Sequence, residues 1–396
     1  MMKQRIICML SSRHSAEDDR IYWKESLSLV NAGYELVHIC LGAEARDIRS
    51  RHGVREITLP KLSKDRELFL SRLLRIAGRD RKLLRQFAER AAAIKADAYH
   101  IHDLQLLKLV PVLKKLEWSP AIIYDVHESY ADLIRDHAKA QVKWLFYPLS
   151  WYTSWWEAKC AKQCNVIIAA EPNVCERFRR ITKGIPCNTL FNYSYFLPGE
   201  REQPAVPKKY DAIYSGTIHS TRGVWQVVTA VKILKRSLPG IKVLLVGSFA
   251  SPGLEQALRD FISVKELQEQ LIIHPTVPYE DMPAFYRQSC VGLCLVHPLP
   301  LYHNAIFIKT FEYMAFGLPV LASNFGTVAK VITETGAGIC VDPLDPEKIA
   351  NALEELLKEK DLYANCSRSG ESAVTNQYNW KSQESLLLNI YSKLLP

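Results

Sequence analysis

The 396-residue chain has no apolar run reaching the eighteen or so residues that a membrane span needs. Its opening, MMKQRIICMLSSRH, has a short apolar core and no small-residue cleavage site, so it reads as a first buried strand rather than a secretory leader. The ten cysteines form no CxxC pair and have no histidines at zinc spacing; Cys160/Cys164 and Cys290/Cys294 come closest. Cys8, Cys40, Cys294 and Cys340 sit inside apolar runs, as reduced core thiols of a cytosolic protein would. No GxGxxG follows the first strand, which argues against a nicotinamide or flavin enzyme. Internal repeats and low-complexity tracts are also missing.

What is present is an ordinary soluble composition, 48% hydrophobic and 23% charged, in a chain long enough for two domains. The net charge of +9 is uneven. Residues 61–90 hold ten Lys/Arg against four Asp/Glu, and their apolar residues recur at helical spacing (Leu70, Leu73, Leu74 and Ala77, then Leu84, Phe87, Ala88 and Ala91). One or two basic amphipathic helices are expected there. Their charge is either a solvated face or an attraction to anionic lipid or a phosphorylated acceptor. No nucleic-acid motif accompanies it, so nucleic acid is not expected as a partner. The aromatic run WLFYPLSWYTSWW, Trp144–Trp156, predicts a long helix packed on the first domain, and Trp and Tyr also suit membrane interfaces.

Strand-like and helical runs alternate almost throughout, the pattern of an α/β chain with parallel sheets. Strands are expected at Arg5–Ser12, Tyr34–Leu41, Val54–Leu59, Ala98–His102, Ala121–Val126, Val166–Ala170 and Thr189–Phe191. Two of them end in polar clusters, HIHD (His102, Asp103) and DVHES (His127, Glu128), where parallel sheets bind ligands. His14 follows the first strand. Phe196–Lys209 holds three prolines and five charges and reads as a linker. Boundaries follow: 1–195, linker 196–209, 210–375, and a final helix from 376 to 396 that crosses back to the first domain. In the second half, Asp211–Gly216 is strand, and Arg222 and Gly223 open a helix, a position suited to an anion.

Asn304–Ser323, NAIFIKTFEYMAFGLPVLAS, reads as a helix feeding a strand, with Phe307, Phe311, Met314 and Ala315 as its apolar stripe. Lys309 and Glu312 share another face near the helix start. By spacing alone they form a surface ion pair. Chemically, a lysine at a helix N-terminus suits a diphosphate, and a carboxylate beside it can accept from two ribose hydroxyls.

The string Lys309-Thr-Phe-Glu312-Tyr-Met-Ala-Phe-Gly-Leu-Pro-Val resembles the sugar-nucleotide motif of glycosyltransferase family 4. That resemblance implies a GT-B fold, two Rossmann-like domains whose parallel sheets face a central cleft. It assigns the donor diphosphate to Lys309 and Arg222, the ribose to Glu312, the nucleobase to Val277, and further donor contacts to Gly216, Thr217, Asn304, Phe307 and Ile308. Two positions depart from the family: Asn304 stands where many members have a second glutamate, and Thr217 where they have an arginine. The first half resembles the family's acceptor domain more loosely, through HSAEDDRIYWKESLSLVNAGYELVHI, AYHIHD and IIYDVHE. This carries a catalytic role to His127, beside Arg222 and Lys309, and an acceptor side to His14, His102, Asp103 and Glu128.

The implied activity is retaining glycosyl transfer, without cofactor or metal, from a nucleotide-sugar to a glycan or lipid-linked acceptor in surface polysaccharide synthesis. The absence of an Asp-x-Asp pair near the expected phosphates agrees with metal-free chemistry. The protein is expected in the cytoplasm, in peripheral contact with an anionic membrane. Two alternatives stay open: a degenerate homologue acting as a binding or scaffold protein, and a sugar-nucleotide epimerase.

Overall fold

The computed structural model describes residues 4–61, 81–136, 146–199 and 206–396. Most of the basic 61–90 segment, Trp144 and Leu145, and residues 200–205 of the expected linker lie outside these. The chain separates into two compact units, Met1–Asn192 with Gln383–Pro396, and Tyr193–Ser382.

The first unit is built on β1 (Ile6–Leu10), β2 (Glu35–Gly42), β3 (Arg46–Arg49), β4 (Arg55–Pro60), β5 (Ala98–Ile101), β6 (Ala121–Val126), β7 (Val166–Ala169) and β8 (Cys187–Thr189). Their order across the sheet is β3-β4-β2-β1-β5-β6-β7-β8. All pairs are parallel except β3 with β4. Central strands such as β1 and β5 are buried on both faces, which explains their unbroken apolar sequences. The antiparallel edge strand β3 was not expected. Its RDIR sequence is exposed throughout and carries no hydrophobic alternation to read. β8 lies at Cys187–Thr189, not Thr189–Phe191, because it pairs with β7 through Ile167 opposite Cys187.

The second unit holds β9 (Tyr210–Ser215), β10 (Val243–Val246), β11 (Leu271–His274), β12 (Ser289–Cys294), β13 (Val320–Ser323) and β14 (Gly338–Val341), ordered β11-β10-β9-β12-β13-β14 and wholly parallel. This is the doubly wound arrangement, in which the strand order reverses between β9 and β12 and ligands bind beyond the strand ends there. Helix boundaries follow local chemistry. Asp345 caps Pro346–Lys358 by accepting from the Glu347 and Lys348 amides, and Ser251 caps Pro252–Val264 through Leu254 N–H.

The aromatic run forms helix Tyr147–Ala161, but its packing reverses the expected sense. The inward positions are Ser150, Thr153, Glu157 and Cys160, while Tyr147, Trp151, Tyr152 and Trp155 are exposed. Ser150 and Glu157 can turn inward because partners await them. Ser150 Oγ donates to Ala131 O at 2.7 Å, and Glu157 accepts from Tyr124 Oη and Arg177 Nη2, each at 2.8 Å. All ten cysteines are unpaired thiols, eight of them buried. Among the described residues no helix is long and apolar enough to cross a membrane.

Candidate functional site

In the second unit the chain leaves β9 through Gly216, whose φ of +101° is open to glycine and strained for other residues. It then makes the turn Ser220–Arg222 and enters helix Val224–Leu234 at Gly223. A Cβ on Gly223 would lie 2.2 Å from Leu295 O, so this helix start is pressed against the end of β12. Beyond β12 comes helix Ile308–Ala315, with Phe307 at its N-cap. Two helix N-termini therefore open beside the β9/β12 reversal, each with unsatisfied amides and partial positive charge.

Arg222 and Lys309 stand at these two helix starts. Lys309 Nζ lies 4.0 Å from the centre of the Tyr214 ring. Burial lowers the Lys309 ammonium to about 8; Cys294 opposes this, and the Arg222 charge adds a smaller lowering. No carboxylate pairs with either cation among the described residues. Two cations that repel each other without a counter-ion form a site for an anion.

Glu312 corrects the surface ion pair expected from spacing. It is buried, does not pair with Lys309, and accepts from Tyr279 Oη at 2.7 Å through Oε1 and from Tyr286 Oη at 2.6 Å through Oε2. Tyr313, on the same helix, accepts from Ser215 N–H at 2.9 Å and so ties the helix to the end of β9. Val277 lies in the loop after β11, two residues before Tyr279, which brings that loop to the Glu312 carboxylate. Thr217 is exposed just beyond Gly216. Asn304 is exposed at the end of the short helix Pro300–His303, and Phe307 and Ile308 are half-buried. Tyr279, Tyr286 and Tyr313 had no signal of their own in the sequence, since each acts on a residue 26 to 98 positions away.

In the first unit the clusters after β1, β5 and β6 come together at the strand ends. Asp103 is buried and accepts from the Arg13 amide at 3.0 Å and from Ser12. His14 Nδ1 is 2.9 Å from Asp18 Oδ2, and its Nε2 is 3.7 Å from Asp103 Oδ1. Burial disfavours the His14 cation, but the hydrogen bond and charge of Asp18, with Asp103, outweigh it and raise the ring to about 9. His127 lies beside it, ring centres 4.5 Å apart. Its Nε2 is 3.2 Å from His102 Nδ1 and 3.6 Å from Asp125 Oδ2. Burial holds His127 well below the ordinary histidine range, against the pull of Asp125, and charged His14 adds to the lowering. The two neighbouring histidines thus take opposite states at neutral pH: His14 charged, His127 neutral. Glu128 is exposed and outside this cluster.

Beneath them is a network that the sequence reading missed. Arg20, fully buried, donates to both Asp125 oxygens at 2.9 and 3.0 Å and to Leu190 O at 2.9 Å. Its Nε is also 2.9 Å from Glu25 Oε1. Burial raises the Asp125 carboxyl, but Arg20 and the adjacent histidines overcome that and hold it well below the usual carboxylate range. Burial and then the Asp125 charge push Glu25 well above that range. His100 Nδ1 is 2.8 Å from the hydroxyl of Tyr391, on the last helix. Glu25, His100, His102 and Asp125 offer ligand atoms within 4.8 Å of one another, yet Arg20 already takes the negative charge that a cation would use. The one sequence hint was Arg20, Lys24 and Glu25 at the start of a helical run that carries Trp23, Leu27 and Val30.

Comparison with known proteins bears on the second unit most directly. Residues 199–373 match the family described as glycosyl transferases group 1. This segment belongs to that family. A D-inositol 3-phosphate glycosyltransferase of Paenarthrobacter aurescens is 24% identical over 187 residues, 47% of this chain and 44% of the relative. A GDP-mannose-dependent alpha-(1-6)-phosphatidylinositol monomannoside mannosyltransferase of Mycobacterium tuberculosis is 26% identical over 161 residues, 40% of this chain and 41% of the relative. The chain thus spans less than half the length of these curated relatives. The solved sucrose-phosphate synthase of Thermosynechococcus elongatus superposes with a TM-score of 0.72 at 15% identity, covering 99% of both chains. The fold is GT-B, an α/β chain of two Rossmann-like units with parallel sheets.

Proposed function

We propose that this protein is a retaining glycosyltransferase that binds a nucleotide-sugar on its second unit and takes its acceptor, a glycan or a lipid-linked glycan, on its first. One observation carries the reading: Arg222 and Lys309 lie at two helix starts by the β9/β12 reversal with no carboxylate partner among the described residues. A diphosphate would supply the missing charge, and as leaving group it gains negative charge that these cations stabilise without metal or cofactor. The buried Glu312 carboxylate, steadied by two tyrosines, would take ribose hydroxyls, with Gly216, Thr217, Val277, Asn304, Phe307 and Ile308 around the donor. Neutral His127 would meet the transferred sugar as a hydrogen-bonding group, and His14, His102, Asp103 and Glu128 would lie on the acceptor side. The two relatives, a D-inositol 3-phosphate glycosyltransferase and a GDP-mannose-dependent phosphatidylinositol monomannoside mannosyltransferase, support this donor and acceptor class. A role in surface polysaccharide synthesis, from the cytoplasmic side of the membrane, fits such acceptors.

The test is calorimetric titration with UDP, GDP and ADP and their sugars, followed by release of free nucleotide with and without a panel of lipid-linked acceptors. Acceptor-dependent release supports transfer. Binding without release across the panel favours the scaffold alternative, for which Asn304 and Thr217 speak. Release of nucleotide without any acceptor favours the epimerase. His127→Ala is expected to stay folded and keep its nucleotide affinity while turnover falls at least a hundredfold, in the range of a positioned catalytic group; loss of folding would assign the ring a structural role.

A further inference from the structure

Helix Tyr147–Ala161 is amphipathic in reverse. Its inward positions are Ser150, Thr153 and Glu157, and its outward stripe is aromatic, with Tyr147 52%, Trp151 71%, Tyr152 50% and Trp155 49% exposed. Tyr147, Trp151, Trp155 and Lys159 follow one another at four-residue spacing, a single line about 18 Å long at 1.5 Å per residue. Lone exposed aromatics are common on proteins, but four on one helix face are not required by the core beneath. Here two of the inward side chains, Ser150 and Glu157, already have hydrogen-bond partners in the core.

The charges on this face have one sign. The only acid of the helix, Glu157, points inward to Arg177 at 2.8 Å. Lys159 is exposed, its ammonium 5.2 Å from the centre of the Trp155 ring, and Lys162 is exposed just past the helix end. The side chains are Trp and Tyr, not Leu and Ile. These amphipathic rings settle at the headgroup level of a bilayer, where lysines meet anionic lipid. The helix is too short and too polar on its inner face to span the membrane, so it lies in the plane of the interface.

We propose that the Tyr147/Trp151/Tyr152/Trp155 face, with Lys159 and Lys162, seats this unit on an anionic lipid bilayer. The inference rests on this helix alone and does not depend on the donor site. It also puts the membrane contact on described residues, apart from the basic segment expected from sequence.

The experiment is co-sedimentation of the full chain with vesicles of pure phosphatidylcholine and of phosphatidylcholine with phosphatidylglycerol, at low and high salt. A parallel measurement follows tryptophan quenching by lipids brominated near the headgroup. Wild type is expected to bind the anionic vesicles at low salt, to be released by high salt, and to be quenched. Trp151→Ser/Trp155→Ser is expected to lose roughly tenfold or more of its partitioning, along with the quenching, while its circular dichroism and nucleotide-diphosphate affinity stay unchanged. Lys159→Gln should bind more weakly with a shallower salt dependence. Three outcomes overturn the proposal: no wild-type binding to anionic vesicles at low salt, binding unchanged in the double variant, or a wild-type dimer that the double variant abolishes, which would assign the face to a second copy.

Discussion

The two units gather charge at equivalent places, beyond the ends of central parallel strands, and treat it in opposite ways. In the first unit the Arg20 charge is met by Asp125, on which His102 and His127 also converge, so that pair is matched within the chain. In the second unit Arg222 and Lys309 have no carboxylate partner among the described residues, and desolvation holds Lys309 below its ordinary range. A buried charge matched internally holds a shape. A half-buried pair of cations without a counter-ion leaves a place that an anion could fill.

The largest expected effect tests this contrast on stability. Arg20→Met leaves the Asp125 charge buried without its partner and should cost about 3–5 kcal/mol of folding free energy, read by urea denaturation. Lys309→Met in the ligand-free protein should do the reverse and raise the melting temperature, because it removes a half-buried, desolvated cation that has no carboxylate partner among the described residues. If both variants lose stability alike, the two sites are not different in kind and the contrast fails.

Ligand affinity comes next. Lys309→Ala and Arg222→Ala should each weaken nucleoside-diphosphate binding by about 1.5–3 kcal/mol, the range for a hydrogen bond to a charged group. Titration calorimetry measures this directly. Unchanged affinity in both single variants would show that the phosphates bind elsewhere.

The pH dependence sharpens the same point. A bound diphosphate favours the Lys309 cation and lifts its titration above the ligand-free value of about 8. Between the two values the complex holds the proton that the free protein has lost. Affinity should therefore be full below pH 8 and decline as pH rises through that range, with proton uptake seen as a buffer-dependent enthalpy near pH 8.5. Stability of the ligand-free protein follows the opposite course. The unfolded chain holds the Lys309 proton up to about 10.4, so this residue's contribution to stability increases from pH 8 towards that value.

Much of the architecture was legible because parallel strands buried on both faces write continuous apolar runs, as in Ala121–Val126, and because glycines such as Gly216 and Gly223 mark the turns. The exposed β3 left no such trace. In the second unit Lys309 and Glu312 were visible through their four-residue motif, yet spacing put them on a surface as a pair. What buried Glu312 was a pair of tyrosines from a different segment, and no local pattern links Tyr279 to Glu312 across 33 residues. The Arg20 network was hidden for a similar reason. Its partners Glu25, His100 and Asp125 come from three elements, and register between strands brings them together: Ile7 lies opposite Ala98, and Ile101 opposite Tyr124. The aromatic helix misled in the other direction, since hydrophobicity alone predicted an inward face that Ser150 and Glu157 in fact provide.

The smallest expected effect concerns those tyrosines. Tyr279→Phe removes one of the hydroxyls that fix the Glu312 carboxylate and leaves the ring, which stacks on Phe196 at a 5.0 Å centroid distance, in place. Folding should be nearly unaffected. A steadier carboxylate matters only to a ligand with vicinal hydroxyls, so the variant should bind UDP or GDP more weakly by about 0.5–1.5 kcal/mol, the net worth of one hydrogen bond. Its affinity for inorganic pyrophosphate should match wild type. Glu312→Gln should show the same selectivity with a larger loss, because the acceptor itself changes. Equal losses for pyrophosphate and nucleotide in both variants would mean that Glu312 serves the phosphate side or the packing of helix Ile308–Ala315. In that case Glu312 would be a matched internal charge of the first unit's kind, and the difference between the two sites would rest on Arg222 and Lys309 alone.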